Sequence, residues 1–191
     1  MSEFDFFKRI EEFSNILNNA KVTNNQNVNL DFYLAIENIK AMFTDVKENK
    51  NHIYIVGNGG SSSIASHFSI DLLNKCDLAS HTLFDASALT CLSNDFGYEN
   101  VFSKHLQKCM CSKDILFAIS SSGNSQNIIN AVNHAKSVGA KVVTLSGFSS
   151  DNILRGLGDM NFWLDSVDYG MVEIGHSFIL HNIADNSMLN R

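Results

Sequence analysis

Residues 117–127 read FAISSSGNSQN. An apolar run ends in three serines, a glycine, an asparagine and a further serine, then turns at once into a stretch of helical character. Residues 55–67, IVGNGGSSSIASH, repeat the arrangement. In an open α/β sheet, ligands bind beyond the carboxyl ends of the strands, and both stretches hold that position. Gly57, Gly59 and Gly60 let the backbone turn tightly and approach a ligand. Helix N-termini offer free N–H groups and partial positive charge, which favour an anion. Ser61, Ser120, Ser122 and Ser125 add hydroxyl donors. Serines also cap helices, but two such loops after two apolar runs point to a bound phosphate. Neither loop contains the GK[ST] of a Walker motif, and Ser62 stands where GxGxxG needs its last glycine. A single phosphate on a small molecule fits better than a dinucleotide.

Working outward, short apolar runs recur at 52–56, 81–84, 114–120, 141–147 and 161–165. Most are nearly continuous, as strands buried on both faces of a parallel sheet should be. Helical stretches fall between them at roughly 62–75, 99–110 and 125–138, and a closing helix begins near 170. This alternation predicts an α/β fold, with a parallel five-stranded sheet flanked by helices. Ahead of it, Phe4, Phe7, Ile10, Phe13 and Leu17 share one helical face. Leu30, Tyr33, Ile36, Ile39 and Phe43 repeat the pattern, and the polar segment KVTNNQN separates the two. The spacing predicts a helical hairpin over 1–50 whose wide apolar face needs cover, from the same chain or another subunit. The hairpin and the α/β core (51–191) are expected to form one domain spanning 1–191.

With 191 residues, 45% apolar and 18% charged, the chain has a globular composition. Its net charge of -6 leaves no basic stripe for phosphate backbones and argues against nucleic acid as the main partner. No stretch reaches the roughly 18 apolar residues of a membrane span. The opening MSEFDFFKRIEEF is acidic and amphipathic, unlike a signal peptide. Cys76, Cys91, Cys109 and Cys111 match no zinc or CxxC spacing. They read as reduced thiols of a cytoplasmic protein.

A further constellation lies on the predicted helices. His67 and Asp71 are four apart, and Glu173 and His181 are eight apart, so each pair shares a face. Two such pairs converging would suit one divalent ion, and two imidazoles with two carboxylates suit zinc. The same residues also serve as ordinary polar positions on helices, and spacing leaves both readings open.

Three stretches together resemble the sugar isomerase (SIS) domain family: VGNGGSSSIASHF (56–68), NDFGYENVFSKHL (94–106) and ISSSGNSQNIINAVNHAKSVGAKVVTLSG (119–147). SGNS is specific for SIS domains. GNGGS with a following histidine, and NDFG, are similar to the phosphoheptose isomerase branch, which converts sedoheptulose 7-phosphate to D-glycero-D-manno-heptose 7-phosphate. The resemblance runs over about 52–185 and implies a three-layer αβα fold. It implies Ser61, Ser120, Ser121, Ser122 and Ser125 as phosphate contacts, with Asn58, Gly59, Asp95 and Glu173 around the sugar. Branch members bind zinc through a histidine and glutamate four apart plus a glutamine and histidine eight apart. These map to His67, Asp71, Glu173 and His181. The carboxylate of Asp71 is one methylene shorter than the family's, Glu173 replaces an amide, and Gly170 stands where an aspartate is usual. Asp71 is then the expected base and His181 the expected acid. His176, one turn from Glu173, is a supporting candidate. Family members are homotetramers whose active sites neighbouring subunits complete. Some relatives bind phosphosugars without turning them over, and others isomerise different sugar phosphates for surface polysaccharides. Both remain alternatives at this point.

Overall fold

The computed structural model describes residues 5–188. In chain order its elements are helix α1 (Phe6–Asn18), strands β1 (Lys21–Thr23) and β2 (Asn29–Leu30), α2 (Phe32–Asn49), β3 (Ile53–Gly57), α3 (Gly60–Cys76), β4 (Ser80–Thr82), α4 (Ala86–Phe96), α5 (Val101–Cys109), β5 (Ile115–Ser120), α6 (Gln126–Val138), β6 (Lys141–Ser146), β7 (Met160–Trp163) and α7 (Tyr169–Asn186). The apolar runs become strands because both sheet faces are covered. Every residue of β3, β5 and β7 is buried, and in β6 only Lys141 is exposed.

Alternate strand residues feed two cores, as the strand period requires. Ile55, Phe117, Ile119, Leu145 and Phe162 face α2, α3 and α7. Tyr54, Val56, Leu116, Ala118 and Val142 face α5 and α6. Helices therefore lie on both sides of the sheet, giving the expected three layers. Phe117 is fully buried between Phe43 and Phe68, with ring centroids 6.0 and 5.1 Å away. Burying a phenylalanine of this kind contributes roughly 1.5–3 kcal/mol.

The sheet order is β2-β1-β7-β6-β5-β3-β4. The five parallel strands run β7-β6-β5-β3-β4. The expected five-stranded sheet needs one correction: β1 and β2 extend it to seven by antiparallel pairing on β7. β1 lies in the segment expected to be only a polar turn, and β2 takes Asn29 and Leu30, expected to open the second helix, which instead begins at Phe32. Val22 and Thr23 are buried against β7, and pairing there covers an otherwise open strand edge. Helix α4 was also absent from the sequence expectation. Asp85 starts it by accepting the Ala88 N–H, and it buries no residue fully.

The N-terminal helices form, yet each packs chiefly on α7. Phe13 and Leu17 of α1 approach α7 at Gly175, while Phe7 is 75% exposed. Ile36, Ile39 and Phe43 of α2 are buried, and Tyr33 is 79% exposed. Phe4 lies outside the described residues. Arg9 anchors α1 by donating to Asp168, the cap of α7, at 2.8 Å. Among the described residues no helix is long and apolar enough to cross a membrane.

The chain leaves β3 toward β4 on one side and returns to β5 on the other. The crevice beyond the carboxyl ends of β3 and β5 is therefore the topological switch point, where this class of sheet binds ligands. The two serine loops follow these two strands.

Candidate active site

The β5–α6 loop is built on a backbone that only glycine permits. Gly123 has φ +66°, and a Cβ there would run into Asn152 Oδ1. Asn152 is held by its own bonds: its Nδ2 donates to the Gly147 carbonyl at 3.0 Å and the Ser149 carbonyl at 2.8 Å. The Gly123 N–H donates to the Ser120 hydroxyl oxygen at 3.2 Å, and the Ser120 hydroxyl donates to Ser125 Oγ at 3.3 Å. Ser122 Oγ accepts from the Asn124 N–H at 3.3 Å. Ser121 is buried, and its hydroxyl has no hydrogen-bond partner. A buried polar atom left unpaired costs about 1–3 kcal/mol, which a ligand would recover.

Ser125 occupies the N-cap of α6, but its side chain makes no capping hydrogen bond. The same holds at α3, whose N-cap is Gly59. Ser61, in the first turn of α3, is buried. In contrast Asp5, Asp31, Asp85 and Asp168 cap α1, α2, α4 and α7 with their carboxylates. The serines of the two loops are thus not serving as helix caps. Both helix starts at the switch point keep their positive end available to an anion.

The loops are joined by a residue the sequence reading did not single out. Asn127 Nδ2 donates to Asn58 Oδ1 at 2.8 Å, and Asn58 Nδ2 donates back to Asn127 Oδ1 at 3.0 Å. The Tyr98 hydroxyl also donates to Asn58 Oδ1, at 2.9 Å. Asn127 is buried. An asparagine in the first turn of the helix after a polar loop was the one signal in the sequence. Asp95 is exposed near the end of α4, accepting from Asn94 Nδ2 at 3.0 Å. Tyr98, three residues on, is the group of this segment that reaches Asn58.

The second cluster lies further along α3, where it packs on α7. His181 Nδ1 is 2.9 Å and His67 Nε2 3.7 Å from Asp71 Oδ2. The two imidazoles meet edge to face at 4.7 Å. One ligand atom from each of these three residues lies within 4.8 Å of the others. Asp71 is 9% exposed, and its Oδ2 accepts no hydrogen bond. The short approach of His181 is therefore an electrostatic contact with poor hydrogen-bond direction. Lys75 Nζ lies 3.4 Å from Asp71 Oδ1 and 2.8 Å from Asp185. Hydrogen bonding to Asp185 raises the Lys75 pKa, burial opposes it, and the hydrogen bond to Asp71 adds a smaller upward push. An oriented carboxylate with a free buried oxygen and two imidazoles beside it is a donor set that fits zinc.

A model of the SIS domain family matches residues 10–147. Over 148 residues the chain is 36% identical to the phosphoheptose isomerase of Campylobacter concisus, covering 74% of this chain and 78% of the relative. The chain belongs to the SIS domain family, in its phosphoheptose isomerase branch. Two solved phosphoheptose isomerases share the fold at 27% identity. That of Francisella tularensis superposes with a TM-score of 0.80, covering 94% of this chain and 92% of that one. That of Neisseria gonorrhoeae gives 0.71, covering 96% and 99%.

Within this phosphoheptose isomerase relative, His67, Asp71 and His181 come together and Glu173 does not join them. Its carboxylate packs against Gly60, where a Cβ would collide with it, at the start of α3. His67 and Asp71 lie seven and eleven residues further along that helix, roughly 10 and 16 Å by helical rise. Glu173 thus stands with the serine loops rather than with the histidines. His176 is remote from both roles. It is fully buried, and its Nε2 lies 3.0 Å from the Ser146 carbonyl, which can only accept, so Nε2 carries the proton. Burial lowers its pKa to about 4, so the ring is neutral and supports the end of β6.

Proposed function

We propose that this protein is an aldose–ketose isomerase of sugar phosphates, interconverting sedoheptulose 7-phosphate and D-glycero-D-manno-heptose 7-phosphate. Its product would supply heptose for lipopolysaccharide or capsule. The observation that carries the reading is the Asp71 carboxylate, buried, without a hydrogen bond at Oδ2 and flanked by two imidazoles. Isomerisation moves a proton between adjacent carbons and needs a base that can return it. Asp71 takes and returns that proton, and His181 serves the sugar oxygens as acid. Ser61, Ser120, Ser121, Ser122 and Ser125 hold the phosphate at the open helix starts, with Asn58, Gly59, Asp95 and Glu173 on the sugar side. Positioning of this kind supplies a large part of the barrier reduction. His67, Asp71 and His181 would hold a zinc ion, with Glu173 as the fourth ligand. Bound zinc supplies Lewis-acid polarisation of the substrate carbonyl.

The distances favour an oligomer. A seven-carbon sugar phosphate extends about 10 Å, taking ordinary single-bond lengths. Asp71 stands roughly 16 Å along α3 from the loop end. A phosphate in one chain's serine loop therefore meets the histidine–aspartate cluster of a neighbouring copy, and Glu173 of one copy completes the ligand set of another. A homotetramer packed through the exposed faces of α1 and α2 supplies those neighbours. The four free thiols fit a reducing cytoplasm.

The test is turnover of sedoheptulose 7-phosphate followed by NMR, with zinc and with a chelator. The expected result is conversion that the chelator abolishes. Asp71→Asn is expected to cut kcat by roughly 10²–10⁴-fold, the range for losing a general base; full turnover in that variant removes the base assignment. Tight retention of the sugar phosphate without conversion by the zinc-loaded protein would identify a binding module instead.

A further inference from the structure

At the opposite end of the strands from the serine loops, two more histidines meet. His52 immediately precedes β3, and His81 lies in the edge strand β4, paired in register with Tyr54. His52 Nδ1 and His81 Nε2 are 2.9 Å apart, with ring centroids at 4.9 Å and planes inclined by 48°. Neither ring is buried. Both are held in place from several sides. The His52 backbone N–H donates to Asp114 Oδ1 at 2.9 Å, and the His52 carbonyl accepts from the Ile115 N–H at 3.1 Å. The Tyr54 ring lies against His81 at 5.5 Å and against His52 at 6.3 Å. Tyr54 is itself fixed, since its hydroxyl donates to the Cys109 carbonyl at 3.0 Å.

We propose that His52 and His81 form a second metal site, for a divalent ion that takes imidazole nitrogen, the class of Cu²⁺, Ni²⁺ and Zn²⁺. The 2.9 Å between the two ring nitrogens is the length of a hydrogen bond, so the two nitrogens already face each other from two paired strands, and a small rotation of the rings lets an ion take the place of the shared proton. Without an ion, one ring nitrogen donates its proton to the other. On binding, that proton moves through solvent to the other nitrogen of its own ring. Both imidazoles stay neutral and each gives one lone pair to the ion. Bound metal would clip the short edge strand β4 to β3. The proposal is independent of the isomerase reading, because none of its residues touches the serine loops or the Asp71 cluster.

The experiment uses Cu²⁺ alone as probe, with the full chain carrying His67→Ala and His181→Ala so that the other imidazole pair cannot contribute. Electron paramagnetic resonance is expected to show Cu²⁺ coupled to two imidazole nitrogens. Adding His81→Asn, or separately His52→Asn, is expected to abolish the two-nitrogen pattern. Circular dichroism of each metal-free variant, superposing on the parent, shows that the fold is kept. A parent chain without the two-nitrogen pattern, or a pattern that survives both asparagine variants, overturns the proposal and leaves only a hydrogen bond between two rings.

Discussion

Helices α6 and α7 both begin after a parallel strand, but they begin in opposite ways. Helix α7 starts on Asp168, whose Oδ1 accepts the Met171 N–H at 3.1 Å and whose Oδ2 accepts from Arg9 at 2.8 Å. Helix α6 starts on Ser125, which caps nothing, beside a buried Ser121 hydroxyl that bonds nothing. Both are helix starts of polar sequence. The first closes its free N–H groups with a carboxylate of its own chain and ties down α1. At the second, Asn127 Oδ1 accepts the Ile128 N–H at 3.0 Å, and no carboxylate closes the helix start at the switch point of the sheet. An internal anion and an external one compete for the same partial charge, so a helix start left open among hydroxyls is one kept for a ligand.

The comparison breaks most easily at Gly123. Gly123→Ala must relieve a collision with Asn152 at a positive φ, and Asn152 is held by several bonds. Displacing the loop by about an ångström is expected to lower turnover roughly 100-fold, measured as kcat/KM on sedoheptulose 7-phosphate. Unchanged kcat/KM would mean the loop does not position the phosphate.

His176 supports the strand end beside that loop, and it makes stability depend on pH. Its folded pKa of about 4 lies below the ordinary value of 6.5 because burial disfavours the charged ring. The unfolded chain therefore takes up the proton first. The stabilisation is complete above pH 6.5 and is lost progressively as pH falls toward 4. At about 1.4 kcal/mol per unit the loss totals roughly 3 kcal/mol. Urea midpoints measured across this range should show the fall, and His176→Gln should flatten it.

Ser121→Ala separates ligand from scaffold. It removes an unpaired buried hydroxyl, so the melting temperature should hold or rise. A hydrogen bond to a charged group is worth about 1.5–3 kcal/mol, so sugar-phosphate affinity should fall by at least tenfold in calorimetry. Asp31→Ala is the matching control on a closed helix. Loss of its cap to the Leu34 N–H should cost about 1 kcal/mol, seen as a melting temperature lower by about 2–4 °C. KM should not change. An Asp31 variant that weakened sugar-phosphate binding as much as the Ser121 variant would erase the distinction between the two kinds of helix start.

Much of this was legible in the residues because it is local. Continuous apolar runs such as ILFAIS mark strands buried on both faces, and they became β3, β5, β6 and β7. Helical phase put His67 and Asp71 on one face of α3, and the structure keeps them there. The serine loops were visible as polar, glycine-containing breaks after those runs. Less legible were features set by pairing between distant segments. Lys21–Thr23 is too short and polar to declare itself a strand, and it becomes one only because β7 offers an edge. Helix α4 buries no residue fully, and its start is set by the Asp85 cap on the Ala88 N–H.

The sequence by itself determined the layers, the strand-to-loop junctions and which side chains share a helix face, since each follows from a repeat of two or 3.6 residues. Only the tertiary structure decided which faces meet. It set His181 against Asp71 and sent Glu173, two turns away on the same helix, to Gly60. It locked Asn58 to Asn127 across the crevice, left Ser121 unpaired, and brought His52 to His81 across two strands. The physical reason is that a side chain's phase on its own helix or strand is fixed by backbone geometry. Its partner is chosen by how the elements pack, and that depends on burial summed over the whole chain.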